Sequence, residues 1–184
     1  MNAVPSEVEL VLEFLNTADL EGGSDELRDP AALRAWLGEH GLKVTGRRAP
    51  TAADLERALA VREALRALVA VNTGTSLPDA SRATLEAAAA RAHLGVHFMP
   101  DGSTAAMPTA TGIDGALGYI LAAVHHAMGR GTWGRLKPCG RDRCRWAFYD
   151  TSKNHSRRWC SMEVCGNREK GVAFRRRQRS EPEK

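Results

Sequence analysis

The sequence predicts a mainly helical α+β protein with one small antiparallel β-hairpin and a C-terminal module built around four cysteines. Three observations predict it. Apolar residues recur at i, i+3 and i+4 along the first 134 residues, the period of helices with one buried face. The step Asp101-Gly102 lies between two short runs, 96–99 and 104–107, which is a hairpin signal. All four cysteines fall within residues 135–184, a stretch too short to hold a core unaided.

The elements follow in chain order. Ser6-Glu7-Val8-Glu9 reads as a capping box ahead of Val8, Val11, Leu12 and Leu15, with the hydroxyl accepting an orphan amide and the glutamate reaching back. Gly22-Gly23-Ser24 reads as a linker. Asp29-Pro30 is an N-cap followed by proline at the first helical position. It opens a short helix carrying Leu33, Trp36 and Leu37, which Gly41 can stop. Arg47-Arg48-Ala49-Pro50 is a loop. Thr51-Ala52-Ala53-Asp54 starts a longer helix whose apolar side is Leu55, Leu59, Val61, Leu65, Leu68 and Val69, with Gly74 past its end. Asp79 is a candidate cap for an Ala-rich helix over 80–92. The strongest stripe runs through Ile113, Ala116, Leu117, Ile120, Leu121, Val124 and Met128, one face over four turns.

A chain of 184 residues holds about one domain plus an appendage. Its 43% apolar and 26% charged residues are those of a globular protein. No window approaches the 18 or so apolar residues of a membrane span. The start carries Glu7, Glu9 and Glu13 and no basic residue through Leu15. Such a start lacks the basic and apolar regions of an export signal, so the expected compartment is the cytoplasm. Charge divides the chain. Residues 1–134 hold 11 Lys/Arg and 16 Asp/Glu, net −5, and residues 135–184 hold 15 and 6, net +9. The expected division is a helical domain at 1–134 with its hairpin near 96–107, a cysteine module at 135–179 and a loose tail at 180–184. The seam falls near Arg130-Gly131-Thr132-Trp133-Gly134, and each part is expected to have its own core.

Cys139, Cys144, Cys160 and Cys165 form the pattern C-x4-C-x15-C-x4-C. Two local pairs of thiolates are what a tetrahedral Zn²⁺ takes, and four cysteines close its coordination sphere, so the expected ion is one structural Zn²⁺. Two disulfides or four free thiols are the alternatives, and an iron site has the same ligand count. Zinc would supply folding energy, roughly 10–16 kcal/mol in small zinc peptides. Trp146, Phe148, Trp159, Val164 and Phe174 are the apolar residues expected beside it. Arg145–Asp150 reads as a strand, and Ser161 can cap a helix that begins near Met162 and carries Cys165. A hairpin strand followed by a helix with the last ligand is a treble-clef-like layout.

Cys165-Gly166-Asn167-Arg168 is the signature of the CGNR zinc finger, and the chain resembles that family over residues 136–179. Cys144-Arg145-Trp146-Ala147-Phe148-Tyr149-Asp150-Thr151-Ser152-Lys153-Asn154 matches its C-x-W-x-F-x-D-x-S-x-N run, and Ser156-Arg157-Arg158-Trp159-Cys160 matches its S-R-R-W-C run. The first part resembles the ABATE domain that usually precedes this finger. Phe14-Leu15-Asn16-Thr17 looks like its F-[VL]-N-T motif, and Asp29–Leu37 and Val61–Leu65 fit its later helices. The resemblance implies a four-cysteine zinc site and a role in stress-induced transcription regulation, with DNA as the implied partner.

From Arg135 to Arg179 there are 14 Lys/Arg against four Asp/Glu, net +10, which zinc with four thiolates offsets only in part. Arg157, Arg158, Asn167, Arg168, Lys170, Arg175, Arg176, Arg177 and Arg179 are the candidate nucleic-acid contacts. Such a patch attracts phosphates by counterion release, and Arg or Asn can add base readout. RNA is an alternative partner, a solvated tail the plain one. In the first domain, Asn16, Thr17 and Arg62 are candidates for a small-molecule effector pocket, and homodimerisation is the other role considered. No phosphate loop, G-x-S-x-G or H-E-x-x-H occurs, and His125-His126 point about 100° apart on a helix. The expectation is a regulator, not an enzyme, with a zinc-held RNA-binding or protein-interaction module as the alternative.

Overall fold

The structure is a computed structural model describing residues 4–42, 44 and 48–180. In the last helix the side chains of Ala173, Phe174, Arg176, Arg177, Arg179 and Ser180 are outside the description. Of the tail expected at 180–184, Ser180 is the last residue of the final helix and 181–184 lie outside the described residues, as do the expected contacts of Phe174, Arg176, Arg177 and Arg179.

The fold is mostly helical with small antiparallel hairpins. Helix α1 (Ser6–Asn16) begins one residue earlier than the capping-box pattern requires. Pro5, which has no amide to leave unpaired, holds the cap position, and its carbonyl accepts from Val8 and Glu9 at 2.9 Å. The Ser6 hydroxyl accepts no helix amide, so the expected box does not form. Strands β1 (Ala18–Asp19) and β2 (Ser24–Asp25) pair antiparallel around the stretch expected to be a linker. The Asp19 carboxylate accepts from the amides of Glu21 and Gly22 at 3.0 and 2.8 Å, and Gly23 takes a φ of 70°. An Asx turn and a left-handed glycine thus make the link a tight bend.

Helix α2 (Pro30–Glu39) starts as expected, with Asp29 accepting from Ala32 at 2.7 Å. Helix α3 (Ala52–Val71) opens with the reciprocal Thr51–Asp54 capping box. In α4 (Asp79–Arg91), Asp79 is the first helical residue and Pro78 stands at the cap. Strands β3 (Gly95–Phe98) and β4 (Thr104–Met107) form the hairpin around Asp101-Gly102. Helix α5 (Gly112–Gly129) lies against α1, and α3 against α4. A Cβ on Gly118 would come within 2.6 Å of the Cβ atoms of Ala92 and Pro108, so only glycine lets α5 approach there.

After a short turn at Trp133–Arg135, β5 (Leu136–Pro138) pairs antiparallel with β6 (Ala147–Tyr149). A wide turn at Met162–Gly166 then leads into α6 (Asn167–Ser180). The buried cluster runs from Val8, Phe14 and Leu15 through Leu33, Leu65, Leu117 and Ile120, and continues into Trp133, Leu136, Ala147 and Tyr149. The separate cores expected from composition are therefore joined. Alternation is the reason: Ala147 and Tyr149 face the helices, while Phe148 between them lies under the Arg157 guanidinium, 5.0 Å from its ring centre. Around the cysteines the partly buried apolar neighbour is Trp159. Val164, expected beside the metal, is 47% exposed, and Trp146 is 36% exposed.

Candidate metal centre

The first cysteine pair sits on the turn between β5 and β6. The Cys139 amide donates to the Trp146 carbonyl at 2.8 Å, continuing the hairpin ladder, and the Cys144 amide donates to Arg141 at 2.9 Å, closing a tight knuckle. The second pair is carried by the wide turn. Its amides at Cys165 and Gly166 share the Ser161 carbonyl at 3.0 and 3.1 Å. The Ser161 hydroxyl accepts from Val164 at 3.2 Å. Gly166 is packed against Met162 and Trp159, so a Cβ there would require the Met162 side chain to move aside.

The four sulfurs lie within 4.8 Å of one another, with Cys144–Cys160 at 3.7 Å and Cys160–Cys165 at 3.6 Å. A tetrahedron with Zn–S bonds of about 2.3 Å has S···S edges of about 3.8 Å. None of the four is in a disulfide. Burial pushes the Cys144 thiol up to about 11 and, together with the neighbouring Cys165, Cys144 and Cys139 sulfurs, pushes Cys160 up further. Thiols this close resist ionising together. A dication at their centre reverses that balance, because it stabilises every thiolate at once. Donor set and spacing both fit one Zn²⁺.

The comparisons with known proteins agree with this geometry. A CGNR zinc finger is matched over residues 135–178. The ABATE family, described as "Putative stress-induced transcription regulator", is matched over residues 9–130, more than half of the chain. The chain belongs to the ABATE family. No curated protein matches it.

Of the three candidate pocket residues of the ABATE part, Asn16 reaches the finger, and Thr17 and Arg62 bond within the ABATE part. Asn16 at the end of α1 donates from Nδ2 to the Ala147 carbonyl at 3.0 Å and accepts the Ala147 amide at 2.9 Å. Thr17 donates to Phe14 at 2.8 Å and accepts from Arg62 at 2.9 Å. Arg62, only 4% exposed, also makes a two-point contact with Asp25 at 2.8 and 2.6 Å. These polar groups are mutually satisfied. Asn16 borders a surface groove with Trp36, His40 and Trp146, but Thr17 and Arg62 do not line it. One helical turn on, Arg66 is 2% exposed and donates to the carbonyls of Leu15 at 2.6 Å and Arg145 at 3.4 Å. Asn16 and Arg66 thus hold β6 and the turn before it.

Asp150 organises the rest of the finger. It is fully buried and accepts from Lys137 Nζ at 2.7 Å, from the Ser152 amide and hydroxyl at 2.9 and 2.6 Å, and from the Arg157 amide at 3.0 Å. Burial opposes its ionisation. The Lys137 ammonium and the Ser152 and Arg157 donors outweigh that and hold its carboxyl far below the usual range. The D-x-S-x-N run is therefore a loop-closing device.

The candidate cationic residues fall into two sets. Arg157 is committed within the finger, donating to the carbonyls of Trp159 and Cys160 and stacking on Phe148. Asn167 donates to the Glu163 carbonyl at 3.1 Å, which stabilises the wide turn. Arg168 pairs with Glu21 of the β1–β2 turn at 2.7 Å. Arg158, over the Trp159 ring at 5.3 Å, and Lys170 and Arg175 are exposed. Arg141, Arg143, Arg168 and Arg175 border an open groove of about 990 Å³ between the first knuckle and α6, alongside Glu163 and Glu169. The sequence reading did not single out Arg141 or Glu21. The available signals are the acidic turn residue next to Gly22-Gly23 and the two arginines, Arg141 and Arg143, between the first two cysteines. Among the described residues no helix is long and apolar enough to cross a membrane.

Proposed function

We propose that this chain is a DNA-binding regulator of transcription, in which the zinc finger at 135–179 contacts the duplex and the ABATE domain at 1–134 senses an effector or dimerises. The observation that carries this reading is the net +10 between Arg135 and Arg179, next to an ABATE part of opposite sign. Family membership supports regulation of transcription as the setting. Arg157, Arg158, Arg168, Lys170 and Arg175 are exposed cations of the candidate set, of which the Arg158, Lys170 and Arg175 side chains make no ion pair or hydrogen bond within the described residues, and the sequence of α6 adds Arg176, Arg177 and Arg179. Cations so placed neutralise phosphates and release counterions without reading sequence. The zinc is structural in this reading, because four thiolates leave no open position for substrate.

The test is a fluorescence-anisotropy titration of the zinc-loaded chain with duplex DNA across salt concentrations. Affinity should fall with a slope of about −0.9 per phosphate neutralised. Replacing Arg175, Arg176, Arg177 and Arg179 together by alanine should weaken binding to every sequence and flatten the slope. Equal binding by wild type and variant, or no binding by either at low salt, removes the DNA reading. Retention of RNA alone, or of a protein alone, turns it into the alternative.

A further inference from the structure

Glu21 stands at the tip of the β1–β2 turn, and its carboxylate meets two guanidiniums of the finger, Arg141 and Arg168. The turn is not free to follow the finger. Asp19 ties its Glu21 and Gly22 amides, a Cβ on Gly22 would collide with the Asp19 carboxylate, and Asp25 at its foot is clamped by buried Arg62. The carboxylate is thus presented from the ABATE core to a fixed place on the finger. The two guanidiniums come from separate parts of the finger. Arg141 lies in the first knuckle, with a side chain only 16% exposed, and Arg168 in the first turn of α6, with a side chain 54% exposed. Both border the open groove. Two converging guanidiniums around one carboxylate make the donor set that also takes a phosphate oxygen.

We propose that Arg141 and Arg168 form an anion site of the finger, that Glu21 of the same chain fills it in this conformation, and that a backbone phosphate competes with Glu21 for it. The proposal depends on the DNA reading only for the identity of the incoming phosphate. Glu21 is then a latch. While it is engaged, the ABATE part subtracts cationic charge from the groove, and anything that moves the β1–β2 turn changes the finger's affinity. Glu169, 3.7 Å from Arg141, is a second carboxylate at the site, but it belongs to α6 and moves with the finger, so it cannot report on the ABATE part.

The experiment uses the full-length, zinc-loaded chain with Glu21→Gln, and Arg168→Gln as its counterpart. Inorganic phosphate is titrated while the Arg141 and Arg168 side-chain N–H resonances are followed by NMR, and duplex DNA is titrated separately by anisotropy. Glu21→Gln should bind phosphate roughly two- to ten-fold more tightly than wild type, the scale of freeing one or two partly exposed ion pairs. It should also steepen the salt slope for DNA by about 0.9, one phosphate. Arg168→Gln should lose the gain when combined with Glu21→Gln. Unchanged phosphate affinity in Glu21→Gln overturns the latch whatever DNA does. A lowered melting midpoint with unchanged phosphate affinity also overturns it and makes Glu21 a structural staple. Tighter phosphate binding without any DNA binding keeps the anion site and removes the DNA reading instead.

Discussion

Asn16 acts on β6 as a neighbouring strand would, since its amide side chain makes both a donor and an acceptor contact with Ala147. The two residues are 131 positions apart. Replacing Asn16 by alanine leaves a backbone amide and a carbonyl without partners at a part-buried joint. That costs about 1–3 kcal/mol per group, so Asn16→Ala should destabilise the chain by about 3 kcal/mol in urea unfolding at unchanged zinc content. A change below about 0.5 kcal/mol would mean that water replaces the side chain. The position of Asn16 at a helix end was legible in the sequence, and a helix-end asparagine reads as a cap or a pocket residue. Its partner was not legible, because no local rule links position 16 to position 147. Asp150 teaches the same lesson within the finger. Its motif was visible, but the burial that makes it a hub depends on Lys137 arriving from the paired strand.

At the scale of elements, the β5–β6 hairpin serves two structures at once. One face puts Leu136, Ala147 and Tyr149 into the helical core, and its turn carries Cys139 and Cys144. A truncation after Gly134 would remove those core side chains and the partners of Asn16 and Arg66. Burying two large side chains such as Leu136 and Tyr149 contributes about 5 kcal/mol, comparable to the whole stability of many domains. Residues 1–134 alone should therefore unfold at a much lower urea concentration than the full chain, or populate a partly folded state with weak near-ultraviolet dichroism. A midpoint equal to that of the full chain would show that the hairpin adds little to the helical core. The change in charge and cysteine content near 134 is plain in the sequence, but composition describes surface and chemistry rather than which apolar faces meet. The β1–β2 turn is the converse case. Its glycines read as a linker, whereas the Asp19 side chain ties them into a tight turn between two paired strands.

For the whole molecule, a shared hairpin means that the metal and the helical core are coupled. Zinc held by Cys139 and Cys144 would tie the ends of the knuckle that joins β5 to β6, and the register of those strands sets Leu136 opposite Tyr149. Removing zinc with a strong chelator should lower the melting transition of the entire chain, followed at helix wavelengths, and not only erase a signal from the finger. If the core loses about 3 kcal/mol of support, a chain of this size should melt roughly 6–12 °C lower. Readdition of zinc should restore the midpoint. A helical transition that ignores the chelator would show that the hairpin holds its register without the ion.

The sequence by itself determined the helices with their apolar stripes, the Asp-Gly hairpin, the family resemblance and the four-cysteine site. Each of these rests on short-range spacing: a period of 3.6 residues, a five-residue connection built around Asp101-Gly102, or paired ligands with four residues between them. Tertiary structure decided what those parts do to one another. Asn16 and Arg66 became holders of the finger, Leu136 and Tyr149 became members of the helical core, and Glu21 became a partner of Arg141 and Arg168. The physical reason is that a polar group's role follows from which groups share its burial. Contacts between residues about 50 to 150 positions apart exist only once the helices have packed and carried them together.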